Sequence, residues 1–158
     1  MAIRRYGNAD REALMNITAV CFEGLSVDHA IEELCGPIAG MDWVSRKTLQ
    51  VGDDVSKYPA GIFVAEEGGD VVGFITTRVD RARGIGSIPD LAVLPAHRRK
   101  GLASKLIDAA IAHLRGESME YVRIDTLDQN EIGKYFYPKR GFKHVATAIH
   151  YIMRVGEA

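Results

Sequence analysis

The sequence predicts an α/β protein: a single domain over residues 1–158, built on one mixed sheet flanked by helices. Three observations carry that expectation. A hairpin is legible in residues 62–79, and a long amphipathic helix follows residue 101. The segments run strand, helices, three strands, helix, strand, helix, strand. With 158 residues the chain can enclose a core without staples, and no repeat, low-complexity tract or linker divides it.

Taken in order, Ala2 to Tyr6 reads as a short first strand. Asn8 is placed to cap a helix through Leu14, Ile17, Val20 and Phe22, whose spacing gives one buried face. Gly24 interrupts it, and Ser26 caps a second helix through Ala30, Ile31 and Leu34 that Gly36-Pro37 stops. Met41 to Val51 reads as a third helix with Trp43, Val44 and Leu49 apolar. Ile62–Glu67 then enters Gly68-Gly69-Asp70 and returns over Val71–Val79, which is the hairpin. Gly84 and Gly86 mark a loop before a strand at Ile88–Val93. In the long helix Leu102, Leu106, Ala110 and Leu114 form a stripe that Ile107 and Ile111 widen. Gly116–Glu120 turns into a strand over Tyr121–Leu127, and a short helix covers about Glu131–Tyr137. Gly141-Phe142 opens a last strand through Val145, Ile149, Tyr151 and Met153.

Lysine and arginine number 20 against 21 acids, a net charge of -1. A chain-wide basic field for nucleic acid is therefore absent, and recognition by charge must be local. Cys21 and Cys35 are the only cysteines; they lack metal-ligand spacing, and nothing before them resembles a secretory signal. Free thiols in a reducing cytoplasm follow, with no metal site. No apolar run reaches bilayer length. The expectation is a cytoplasmic protein with no membrane and no nucleic-acid partner.

The chemistry concentrates at Arg98-Arg99-Lys100-Gly101-Leu102-Ala103, between the strand ending at Val93 and the long helix. Gly101 lets a ligand approach the main chain, and Ala103 keeps the first helical turn small. Three cations at a helix start oppose its dipole, a cost that a bound anion would offset. The N–H groups from Arg98 to Ser104 (Arg98, Arg99, Lys100, Gly101, Leu102, Ala103 and Ser104) are the expected cradle for phosphates. A P-loop would place its lysine after a longer glycine loop and before Ser or Thr, and a dinucleotide fingerprint would need three glycines; neither pattern is met.

These residues resemble the GNAT superfamily of acyl-CoA-dependent N-acetyltransferases. Its signature of Arg or Gln, two residues, Gly, one residue, then Gly or Ala is matched by Arg98, Gly101 and Ala103. Leu91–Pro95, reading LAVLP, is similar to the strand and proline that precede it. Asn130, Tyr137, Gly141 and Phe142 match a second family pattern farther along. The resemblance implies a fold whose fourth and fifth strands splay apart, leaving main-chain groups of Leu91, Ala92 and Val93 to bind the pantetheine arm of acetyl-CoA as an added strand. Pro89 suits such a strand, because a central, fully paired position tolerates proline poorly. Asn130 would contact the cofactor arm, and it is equally suited to capping the helix after it.

Tyr137 matches the family's general acid, which protonates the departing CoA thiolate. Ordinary values of about 10 for a tyrosine and about 8.5 for a thiol make that transfer nearly matched. Pro138 follows directly and disfavours helical geometry at Tyr137, so the helix is expected to end early. For the base, Asp90 and Asp125 are the carboxylates nearest the presumed reaction centre, and Asp90 is the candidate. The acceptor would be an amine, small or on a protein, lying against residues 22–43 and 81–87. Asp28, Glu32 and Glu33 could attract a cation, and Trp43 could line the cleft or pack in the core. The resulting reading is an acetyltransferase in which the amine attacks the thioester directly, the oxyanion resting on N–H groups near Leu91 and Ala92. A non-catalytic acyl-CoA-binding sensor is the alternative. The last strand could serve a homodimer contact.

Overall fold

The hairpin forms the middle of the sheet. In the structure, a computed structural model that describes residues 1–157, β2 (Phe63–Glu67) pairs antiparallel with β3 (Asp70–Ile75), and β1 (Ala2–Arg5) lies along the other edge of β2. The strand expected at Ile88–Val93 is instead two. β4 (Ile85–Ile88) and β5 (Leu91–Val93) are separated by Pro89-Asp90 and take different neighbours. β5 pairs antiparallel with β3, giving the order β1-β2-β3-β5, whereas β4 pairs parallel with β6 (Tyr121–Ile124). One bridge joins the two parts, with Arg78 and Ser87 exchanging main-chain bonds of 2.9 Å. The pairing of β4 with β6 ends at Ile88 and Ile124, just where proline interrupts the ladder.

Helices cover both faces. Beneath one, Phe63, Ala65, Val72, Ile75, Ile88 and Val93 meet Leu102, Leu106, Ile107 and Ala110 of α4 (Leu102–Gly116). This is the stripe read from the sequence, and every one of these residues is buried. On the opposite face Ile62, Val64, Phe74 and Ala92 meet Leu14, Ile17 and Cys21 of α1 (Arg11–Cys21) and Val51 and Val55 of α3 (Trp43–Lys57). α2 (Val27–Cys35) packs on α3. Gly86 allows a close approach: a Cβ there would stand 2.6 Å from a Leu114 methyl group, so only glycine lets α4 seat on β4.

Several expectations need correction. Asn8 does not cap α1; Asn8–Asp10 form a single 3-10 turn, and Asp10 accepts from the Gly7 N–H at 2.8 Å. Val20, Leu34 and Leu49 are exposed, lying off the stripe their helices bury. α3 runs to Lys57, six residues beyond its expected end, because Val55 adds another buried position. β3 ends at Ile75 and β6 at Ile124, short of Val79 and Leu127. α5 (Glu131–Lys139) continues through Pro138. A proline in a last turn forfeits only its own N–H bond, and Arg140 and Gly141 still donate back to Phe136, Tyr137 and Pro138. The last strand does not form among the described residues: 143–154 are exposed and belong to no helix or strand.

Candidate functional site

β5 has one edge in the sheet and one outside it. Thr76 N–H donates to Asp90 O at 3.0 Å and Leu94 N–H donates to Val72 O at 2.9 Å. Antiparallel alternation then directs Asp90, Ala92 and Leu94 toward β3, and the main-chain groups of Leu91 and Val93 away from it. Among the described residues no strand pairs with that outer edge. The sequence reading of Leu91 and Ala92 as free donors is therefore corrected to Leu91 and Val93. Val93 O is already engaged by Arg98 Nε at 2.9 Å and by the Cys21 thiol at 3.5 Å, and burial pushes that thiol up. Arg98 thus braces the loop to the strand.

That edge leads into the basic turn. Arg99 and Gly101 both adopt left-handed backbone, φ 62° and 78°. For Gly101 this conformation is ordinary, whereas for Arg99 it is strained, and such alternation commonly concentrates N–H groups at one point. No side chain caps α4, and its first internal bond runs from Lys105 N–H to Gly101 O at 3.1 Å. The N–H groups of Leu102, Ala103 and Ser104 consequently have no acceptor within the helix. Lys100 is less available than the sequence suggested. Its ammonium lies 3.0 and 3.1 Å from the two oxygens of Glu67, which also bonds His97. Those contacts, His97 first and then Lys100, hold the Glu67 carboxyl below its usual range. No sequence signal marked Glu67, since it lies thirty residues upstream in the hairpin.

On the other side of the parting stands Tyr137, its ring edge-on to Phe136 and Phe142 with centroids 5.4 and 5.8 Å apart. Burial, and then the charge of Asp90, push its hydroxyl up to about 12. The match with a thiol read from ordinary values is accordingly wider, because an apolar site disfavours the phenolate. Asn130 caps α5, accepting from Gly133 N–H at 3.0 Å and donating to Thr126 Oγ1 at 2.9 Å.

Asp90 is 1% exposed. One oxygen pairs with Lys47 Nζ; the other accepts from Gln50 Nε2 at 3.0 Å and Thr76 Oγ1 at 3.2 Å. Gln50 links it onward to Asp54, which Arg78 clasps with two bonds of 2.7 and 2.8 Å. A carboxylate so fully engaged offers no free oxygen, and as an open base Asp90 is corrected by this geometry. Sequence reasoning missed Lys47 and Gln50 because they approach from α3, some forty positions away. Asp125 is exposed and pairs with Arg123 at 3.0 Å. The acidic face of α2 is also largely spent internally. Arg46 lies 3.4 Å from Asp28 and 4.0 Å from Glu32, Glu32 further accepts from the Trp43 N–H, and Trp43 packs edge-on to His29.

An α/β protein with a parted sheet, an open strand edge and an uncapped helix start beyond it is built to take an extended ligand ending in phosphates. Comparison with known proteins agrees with that class. The model of the Acetyltransferase (GNAT) family matches residues 15–142, and the chain belongs to that family. Among curated proteins it is 35% identical over 96 residues to a mycothiol acetyltransferase of Propionibacterium freudenreichii, covering 59% of this chain and 31% of that one. It is 29% identical over 110 residues to an N-alpha-acetyltransferase of Sulfurisphaera tokodaii, covering 63% and 66%. The chain spans about a third of the length of the mycothiol acetyltransferases it matches. Among solved structures, the PaiA N-acetyltransferase of Thermoplasma acidophilum in complex with coenzyme A superposes with a TM-score of 0.75 at 19% identity, covering 93% and 92%. Ard1 of Thermoplasma volcanium does so at 0.69 and 26%, covering 92% and 84%. Among the described residues no helix is long and apolar enough to cross a membrane.

Proposed function

We infer that the protein moves an acetyl group from acetyl-CoA to a primary amine. The observation that carries this reading is the outward main chain of Leu91 and Val93 leading into the uncapped start of α4. The pantetheine amides would pair with that edge, and the diphosphate would rest on N–H groups of the Arg98–Ser104 turn, with Arg98, Arg99 and Lys100 around it. Family membership supports the same assignment.

The amine nitrogen attacks the thioester carbonyl carbon, the carbonyl oxygen gains negative charge, and outward strand N–H groups stabilise it. The C–S bond then breaks, the sulfur takes the proton from the Tyr137 hydroxyl, the nitrogen gives up its own to water, and the Tyr137 phenolate regains a proton from that water. With its hydroxyl at about 12, Tyr137 carries a proton at every physiological pH, as an acid must. A thiolate released beside the same apolar rings is disfavoured for the same reason, which narrows the mismatch. Burial, and after it the charge of Asp90, favours the protonated form of Tyr137. Asn130 fixes the start of α5 and thereby the ring it carries.

The full engagement of Asp90 is the specific observation behind a second reading, a sensor that binds acyl-CoA without turnover. One experiment separates them: acetyl-CoA is mixed with a panel of amines, including N-terminal peptides and amino-sugar thiols, and free thiol is followed. Acetyl transfer requires thiol release above the hydrolysis background with at least one amine. Tight coenzyme A binding with no release across the panel would select the sensor.

A further inference from the structure

A lysine stands inside the molecule beside the kink at Pro89-Asp90. The Lys47 side chain is 11% exposed, and its ammonium is occupied on every side. It pairs with Asp90, donates to Gln50 Oε1 at 2.7 Å and lies over the Phe22 ring, 4.5 Å from the centroid. An ammonium so enclosed offers no free face to a phosphate or to an acceptor. Taking a lysine and a carboxylate out of water is costly, and apolar side chains of the same volume would pack as well. The reason for the pair lies in the stretch of main chain it holds.

That stretch is the peptide between Asp90 and Leu91. Asp90 O accepts from Thr76 N–H at 3.0 Å, and a trans peptide then directs the Leu91 N–H the opposite way, away from β3. Leu91 N–H is one of the outward donors that face the thioester in the reading above. Its direction has few main-chain supports. The ladder of β5 with β3 begins only at Leu91, and Pro89 has no N–H to contribute. On the far side of the kink the next bonds across the sheet join Arg78 and Ser87. Thr76 Oγ1 accepts the Asp90 N–H at 3.1 Å, and the Asp90 side chain supplies the remaining anchors by engaging Lys47 and Gln50 of α3.

We propose that Lys47 is a positioning residue for acetyl transfer: by pinning Asp90 it aims the Leu91 N–H at the oxygen of the thioester. The inference rests on the acetyl-transfer reading. Removing the ammonium leaves a buried carboxylate without its counter-charge; the carboxylate turns toward water, and the Asp90–Leu91 peptide turns with it. Ala92 and Val93 stay where their ladder with β3 holds them.

Lys47→Met and Lys47→Arg test the proposal. Residual dipolar couplings of the free protein report the direction of each N–H bond with no substrate present. In Lys47→Met the Leu91 coupling should change while those of Ala92 and Val93 are kept, and Lys47→Arg should restore it. With an amine that the wild type acetylates, kcat per folded molecule should fall about 100-fold in Lys47→Met, and KM for acetyl-CoA should stay within about threefold. In an Asp90→Asn background the same substitution should cost less than about threefold more, because the two residues act as a unit. A lysine that only stabilises the fold would lower the melting temperature and leave the Leu91 coupling and kcat per folded molecule unchanged; that result, or additive losses in the double variant, would overturn the proposal. If Lys47→Met fails to fold, Asp90→Asn decides, and an unchanged Leu91 coupling there would overturn it. No turnover by the wild type with any amine would overturn the acetyl-transfer reading itself, whereas equal turnover by wild type and Lys47→Met would remove the role of Lys47 alone.

Discussion

The β1-β2-β3-β5 side of the sheet and the β4–β6 side are built to different standards. On the first, Phe74, Val64, Ile62 and Ile75 are fully buried between helices on both faces, and three antiparallel ladders tie the strands together. On the second, two four-residue strands form one parallel ladder, Tyr121 and Ile85 remain exposed, and the chain after Phe142 is uncovered. Main-chain groups with no partner lie at the border of the two and beyond it. The contrast teaches that this fold invests stability in the β1-β2-β3-β5 side and leaves polar main chain open where that side ends, at the outer edge of β5.

The sharpest way to test the contrast is to damage the sealed side. Phe74→Ala removes a fully buried ring from the closed face and should cost roughly 3–5 kcal/mol in denaturant unfolding. A loss below about 1 kcal/mol would mean that side is not the stability centre. At the border, Gly101→Glu sets a negative charge where phosphates are expected and a side chain at φ 78°, so calorimetry should detect no coenzyme A binding. Retained affinity in a folded variant would contradict the assignment. Tyr137→Phe should lower turnover about 100-fold and leave coenzyme A affinity within about twofold. Equal losses in both would make Tyr137 a packing residue.

Alkaline titration sharpens the same border. The folded chain keeps the Tyr137 proton to about 12, whereas the unfolded chain releases it near 10. Below pH 10 the stabilisation is fully present; between about 10 and 12 the unfolded state loses its proton first, and stability falls by roughly 2–3 kcal/mol. Tyr137→Phe should flatten that part of the stability profile, and an unchanged profile would refute the shift. The smallest effect is expected at Glu67→Gln, which frees Lys100 and removes a carboxylate beside the turn proposed to hold the phosphates. Coenzyme A affinity should improve roughly twofold to fivefold at low salt, and the gain should fade as salt is added. Weaker binding would show that the Glu67 brace matters more than its charge.

What the sequence disclosed was local. The stripe of α4, the hairpin and the basic turn each depend on residues within a few positions of one another, and the structure places them as expected. What it concealed was long-range. Pro89 marks a position that resists full pairing, but it does not say that the two halves of Ile85–Val93 take different neighbours, because that depends on where β3 and β6 lie. Asp90 reads as an available acid until Lys47 and Gln50 arrive from α3, and Lys100 reads as a free cation until Glu67 arrives from the hairpin. Val145 to Met153 carries a strand's alternation, and pattern alone does not say which edge, or whose, it needs.

Residue-resolved amide hydrogen exchange, with and without saturating coenzyme A, tests most directly whether the open edge and the helix start hold the ligand. The predicted result is slowed exchange at Leu91, Val93 and Leu102–Ser104, with Ala92 unchanged because its N–H already faces β3. Unaltered exchange at those amides under saturation, or slowing confined to another surface, would contradict the account.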